Sequence, residues 1–245
     1  MLGVRVDATS YDDATERVLT WARRKESRYV CLANVHMVME ARDDPAFRAV
    51  VNGADLVTPD GMPLAWMLRR QGVRGQDRVC GPDLMPAICA AAAAEGVGVG
   101  FFGGRSEVLD RLVARVRERF PGLEIPYAWS PPFRELSSEE DEREVRRIND
   151  SGAGILFVGL GCPKQEWWMA RHRGRVRAVM LGVGAAFDFH AGTVRRAPRW
   201  MREAGLEWVH RLVQEPRRLW RRYLRHNLRF AALAAAQLMS GGIRD

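Results

Sequence analysis

Residues 157–168 read FVGLGCPKQEWW. An apolar run ends in a turn of Gly159, Leu160, Gly161, Cys162 and Pro163, and Lys164, Gln165 and Glu166 then arrive together ahead of two tryptophans. An apolar strand, a glycine–proline turn and a polar helix start are one repeat of a parallel α/β sheet. In such sheets ligands gather outside the carboxyl ends of the strands, so three polar side chains at this exit mark a candidate site.

The same alternation runs through most of the chain. Apolar or β-branched stretches predict strands at 29–34, 55–58, 97–102, 123–128, 154–158 and 177–182. Helical patterns fall at 45–53, 63–71, 82–95, 106–119, 138–151 and 163–173, and Ser137 followed by Ser-Glu-Glu supplies a capping signal for the fifth of these. The expectation is a Rossmann-like α/β body with a mostly parallel sheet flanked by helices, covering residues 1–194, and a helical appendage over 195–245. In the appendage Pro216 opens a helix whose Leu219, Trp220, Tyr223, Leu224 and Leu228 mark one face, with Arg218, Arg222, Arg225 and Arg229 as a stripe beside it.

With 245 residues, 47% of them hydrophobic, the chain has enough apolar material for a full core. No basic-then-apolar leader is visible at its start, which argues against secretion. Its longest apolar stretches fall short of the roughly 20 residues a bilayer-spanning helix needs. Cys31, Cys80, Cys89 and Cys162 are scattered without a CxxC pair, a pattern of reduced thiols rather than a disulfide framework or a zinc site. The net charge of +8 is local: residues 195–245 hold 12 arginines against four acids, and the remainder is neutral. Such an excess points to an anionic partner, whether nucleic acid, membrane surface or phosphorylated substrate.

Several strand exits carry candidate chemistry. GVGFFG at 98–103 matches GxGxxG, but its glycines lie inside a strand, so it does not act as a dinucleotide fingerprint. The turn that follows, Gly103-Gly104 before a helix start, could hold a phosphate or be a plain tight turn. Asp60, in TPDGMPLAW, sits between a strand and a helix and is either a helix cap or a general base. Asn34 and His36 occupy a third exit. GVGAAFDFHAGTVRRAP, at 182–198, is a fourth, and small residues such as Gly184 let backbone lie close to a ligand beside Asp188. Asp188 and His190 have no further metal-ligand partners nearby in sequence, and no DxD, Walker loop or GxSxG element is present.

Taken together these stretches resemble the WecG/TagA/CpsF family of bacterial glycosyltransferases. The resemblance runs from LGVRVDATSYDDA through NVHMVMEARDDP, TPDGMPLAW, DRVCGPDLM, GFFGG and VGLGCPKQEWWM to the arginine-rich EPRRLWRRYL. It implies inverting transfer, without a metal or other cofactor, from a UDP-sugar to a polyprenyl-diphosphate-linked saccharide. Cell-surface polysaccharide biosynthesis, at the inner face of the cell membrane, is the implied setting. Asp60 matches the family's proposed general base, and Gln165 matches the glutamine of its PKQE motif, expected at the donor sugar. Gly161, Lys164 and Arg196 are further candidates for substrate binding, Lys164 by offsetting UDP charge. Arg218, Arg222, Arg225 and Trp220 are expected to meet anionic lipid or the acceptor diphosphate, with Trp200, Trp208 and Leu219 entering the interfacial layer. Apolar residues gathered beside the arginines favour a membrane over nucleic acid, where aromatics more often interleave with basic residues. A homo-oligomer is compatible with the resemblance. One departure stands out: a branch of the family has threonine where this chain has Leu32.

Overall fold

The structure is a computed structural model and describes residues 1–239. Helix α1 (Tyr11–Arg23) precedes β1 (Arg28–Ala33), which passes through α2 (Val35–Asp43) and α3 (Pro45–Asn52) to β2 (Leu56–Pro59). Helices α4 (Met62–Arg70) and α5 (Gly81–Glu95) lead to β3 (Val99–Gly103), α6 (Ser106–Arg119) and β4 (Tyr127–Trp129). Then come α7 (Ser138–Ser151), β5 (Ile155–Gly159), α8 (Lys164–His172) and β6 (Val179–Gly182). Helices α9 (Ala186–Ala191), α10 (Arg199–Glu203), α11 (Glu207–Gln214) and α12 (Pro216–Met239) complete the described residues, so 240–245 of the expected appendage lie outside them.

The strands form one sheet in the order β2-β1-β6-β5-β3-β4, every pairing parallel. The last strand, β6, is inserted between β1 and β5, so the chain's first and last strand exits are neighbours. Side chains alternate between two apolar layers. Val30, Leu32, Phe157 and Leu181 pack with Val18, Ile88 and Leu112 of α1, α5 and α6 on one face. Cys31, Ala33, Val158 and Met180 pack with Val38, Phe47 and Met169 of α2, α3 and α8 on the other. Burial on both faces explains why these strands read as continuous apolar runs rather than as alternating ones.

Three details differ from the sequence expectation. The strand expected at 123–128 is reduced to Tyr127–Trp129, because Pro126 has no N–H to donate and Leu123 is used in the core instead. Helices α1, α2 and α9 fall where the sequence pattern predicts none. Helices α1 and α2 begin at Ser10 and Asn34, whose side chains accept from the backbone N–H of Asp13 and Met37. The apolar residues of α12 do not share one face. Leu219, His226, Phe230 and Ala234 are buried where α12 packs on α2, whereas Trp220, Leu224 and Leu228 are exposed. Leu219, fully buried, therefore does not reach an interfacial layer. The capping box at Ser137 and Glu140 is formed as the sequence suggests.

Close approach at the sheet's carboxyl edge requires glycine. Gly103 has φ +114°, and a Cβ there would lie 2.7 Å from the carbonyl carbon of Gly159 on the neighbouring strand. Gly103→Ala is expected to lower stability by about 2–3 kcal/mol, read as the urea midpoint. Gly122→Ala, at φ +87° but with no atom within 4 Å, should cost only about 1 kcal/mol. Equal losses would show that strand proximity at Gly103 contributes nothing.

Candidate active site

The exits of β1, β2, β5 and β6 open into one cavity of about 1110 Å³, roofed by α11 and α12 and bounded on one side by α4. Helix α4 brings Met62, Trp66, Met67 and Arg70; α12 brings Tyr223, Asn227, Phe230, Ala234 and Leu238. The lining is therefore polar at the strand exits, and mostly apolar along α4 and α12, with Arg70, Tyr223 and Asn227 as the polar exceptions there.

Asp60 stands at the polar end, one residue beyond β2. Its backbone N–H donates to the Ala33 carbonyl of the adjacent strand exit at 2.8 Å, which fixes where the side chain departs. It does not cap α4, whose N-cap is Gly61. The carboxylate instead accepts from the backbone N–H of Gly81, at the start of α5, at 3.3 Å, and from Asn34 Nδ2 at 3.4 Å. Asn34 is itself held, since its Oδ1 caps α2. Burial pushes Asp60 up to about 6; Arg78 and the two hydrogen bonds oppose the rise, and Glu207 adds to it. The result is a carboxylate that is ionised at neutral pH yet far more basic than an exposed aspartate. Arg78 pairs with Glu207 of α11 at 2.8 Å, both largely buried, so the roof reaches the ionic surroundings of Asp60.

Gln165 and Glu166 of the PKQE stretch follow the turn that leaves β5. Both are buried at the start of α8. The Gly161 N–H donates to Gln165 Oε1 at 3.1 Å, and Gln165 Nε2 donates to Glu166 Oε1 at 2.7 Å. The amide is thus oriented, with one of its two hydrogens committed to Glu166 and the other available to a ligand. Gly182 makes room for it, because a Cβ there would lie 2.9 Å from Gln165 Nε2. Burial pushes the Glu166 carboxyl up to about 7, against the opposing hydrogen bond from Gln165.

Of the other residues singled out in the sequence, Asn34, His36, Gly161, Gly184 and Asp188 line the cavity with Asp60 and Gln165. Lys164 is exposed and lies outside the lining, because its position on α8 turns it away from the buried Gln165–Glu166 side. Gly103 and Gly104 are also outside it: their turn is closed by the Gly104 N–H donating to the Gly159 carbonyl at 3.0 Å and abuts Phe187. Arg196 grips Asp83 in a two-pronged ion pair; burial alone would raise Asp83, but the guanidinium outweighs it and holds the carboxyl down at about 2. Trp220 and Arg225 are exposed on α12, and the side chains of Arg218 and Arg222 lie outside the described residues. Leu32, in place of threonine, is buried against Gly81 and presents only methyl groups to the cavity. Sequence reasoning missed Arg78, Glu207 and Arg211. Arg78 sits in DRVCGPDLM, just ahead of the Gly-Pro start of α5, and that position was the available signal.

A parallel sheet with its ionisable groups gathered at neighbouring strand exits, under a helical roof, has the form of an α/β enzyme with its ligand cleft at the carboxyl edge of the sheet. The chain belongs to the glycosyl transferase WecG/TagA/CpsF family, whose model matches residues 1–243. It is a glycosyltransferase. It is 33% identical over 207 residues to the N-acetylglucosaminyldiphosphoundecaprenol N-acetyl-beta-D-mannosaminyltransferase of Bacillus spizizenii strain W23, a match covering 84% of this chain and 78% of that protein.

The raised Glu166 and Asp60 carboxyls have a defined thermodynamic sign. A folded-state pKa above the unfolded one means that the stabilisation is full below the ordinary carboxyl range and is lost as pH rises through the folded value. Wild-type stability is expected to decline between about pH 4.5 and about pH 7 as both carboxyls ionise. Glu166→Gln keeps an acceptor for Gln165 and removes the higher-pH part of that decline. Urea titrations should find the variant more stable than wild type at about pH 8, by on the order of 2–3 kcal/mol. Parallel pH profiles would refute a neutral, buried Glu166.

Proposed function

We propose that this glycosyltransferase moves a sugar of the N-acetylmannosamine type, or a related hexose, from a UDP-sugar to a polyprenyl-diphosphate-linked saccharide, with inversion at the anomeric carbon. The observation that carries the reading is Asp60, a carboxylate of raised basicity where the exits of β1 and β2 meet the start of α5, on the wall of a cavity of about 1110 Å³. Inversion by single displacement needs one base and a stabilised leaving group. Asp60 removes the proton from the acceptor hydroxyl as its oxygen bonds to the anomeric carbon and the bond to the UDP oxygen breaks. Arg78 and Arg211, both in the lining, offset the negative charge that develops on the departing diphosphate. Gln165, with one amide hydrogen uncommitted, holds the donor sugar.

The acceptor's chemistry fits the cavity's two ends. The relative's name includes a diphosphoundecaprenol carrier, and an isoprenoid diphosphate pairs a charged head with an apolar chain. The wall of Met62, Trp66, Phe230 and Leu238 suits that chain. The same reading places the enzyme peripherally on the inner face of the membrane. Trp200, Val213, Trp220, Leu224 and Leu228 are exposed around an arginine-rich appendage, the composition of an interfacial anchor. No helix among the described residues is long and apolar enough to cross a membrane. Helices α11 and α12 line the cavity of their own chain, which supports a site that one copy can complete.

Asp60→Asn keeps the acceptor for Gly81 and removes the base. Turnover, measured as UDP release in the presence of a short-chain polyprenyl-diphosphate saccharide, should fall about 10²–10⁴-fold with UDP binding retained. A variant with wild-type turnover would remove Asp60 from the chemistry.

A further inference from the structure

We propose that His36, Glu40 and His226 form a binding site for a divalent transition-metal ion of the zinc class, which pins α12 to α2. His36 and Glu40 are one helical turn apart, so both project from the same face of α2. His226 comes from the opposite side, on the buried face of α12. One ligand atom of each lies within 4.8 Å of the other two. Glu40 Oε1 is 3.3 Å from His226 Nε2 and 3.8 Å from His36 Nδ1, and the two imidazole rings meet edge to face at 5.1 Å.

Two imidazoles and one carboxylate are a donor set that selects among cations. Calcium and magnesium require mostly oxygen, whereas two nitrogens and an oxygen suit zinc and its neighbours. A tetrahedral ion with bonds of about 2.0–2.1 Å holds its ligand atoms roughly 3.3 Å apart. The Glu40–His226 separation already has that value, and the remaining contraction is within reach of side-chain rotation. Three protein ligands leave the fourth position to water, at the edge of the cavity that His36 lines.

The ion's task here is mechanical. The exit of β1 and the roof helix meet at these three side chains, 190 positions apart in sequence between His36 and His226. A metal bound only when α12 is docked stabilises the docked form by its binding free energy. The roof over the proposed substrate cavity would then be held by metal occupancy as well as by packing. Nothing in this proposal assigns the ion to sugar transfer, so it stands or falls separately from the role of Asp60.

The test uses the tag-free full chain, stripped with chelator and titrated with Co²⁺. One equivalent should bind with the intense visible bands of a tetrahedral nitrogen–oxygen site, and Zn²⁺ should abolish them. Glu40→Gln and His226→Gln should each weaken Co²⁺ binding at least tenfold. In the wild type alone, Zn²⁺ should slow proteolysis between α9 and α12 several-fold. Should His226→Gln fail to fold, Glu40→Gln on its half-exposed side chain decides the matter. Absence of tetrahedral bands, or binding of equal strength in the folded variants, would overturn the proposal; the latter result would place the metal elsewhere on the chain.

Discussion

An all-parallel sheet buried on both faces has only its ends for polar chemistry. The four inner strands satisfy their backbone through parallel ladders on both sides and set their side chains in apolar layers, so any charged group within them would lose solvation without recompense. At the carboxyl ends the ladders stop and the chain turns into helix starts, whose N–H groups favour anions. Asp60 and Gln165 are both products of that constraint. Each departs from a strand exit, and each is oriented by a backbone N–H, from Gly81 and Gly161 respectively. Placing β6 between β1 and β5 then brings the first and last exits side by side, which joins residues from both ends of the body in one cavity.

The roof adds to this arrangement electrostatically. Arg78 belongs to the body and Glu207 to the appendage, and they pair at 2.8 Å. Arg78 lowers Asp60 and would make it a weaker base, whereas the Glu207 charge raises it. The basicity of Asp60 is thus set by the docking of α11 as well as by its strand exit.

Much of this was legible in the sequence, for identifiable physical reasons. Buried parallel strands are continuous apolar runs, and glycine- and proline-rich exits announce where they end, so the fold class and the positions of Asp60, Asn34 and Gln165 could be read directly. Contacts set by tertiary packing were not legible. Which arc of α12 turns inward depends on α2, and Leu219 and Trp220, adjacent in sequence, therefore have opposite fates. Arg196, a substrate-binding candidate in the sequence, is paired with Asp83, 113 positions away, a contact no local pattern announces. Arg78 carried no motif of its own and acquires meaning only beside Glu207. Gly103-Gly104, readable in sequence as a phosphate turn or a plain tight turn, lies outside the cavity lining, and at Gly103 the missing side chain allows the close approach to Gly159.

The coupling between roof and base is the central claim, and the acid limb of the kcat/KM profile in Glu207→Gln addresses it most directly. For the wild type the limb should rise near pH 6, where Asp60 ionises. Removing the Glu207 charge takes away a repulsion that raises Asp60 and leaves the attraction of Arg78, which lowers it. The limb should therefore move to lower pH in the variant. A limb that stays in place, in a folded and active Glu207→Gln enzyme, would contradict the account.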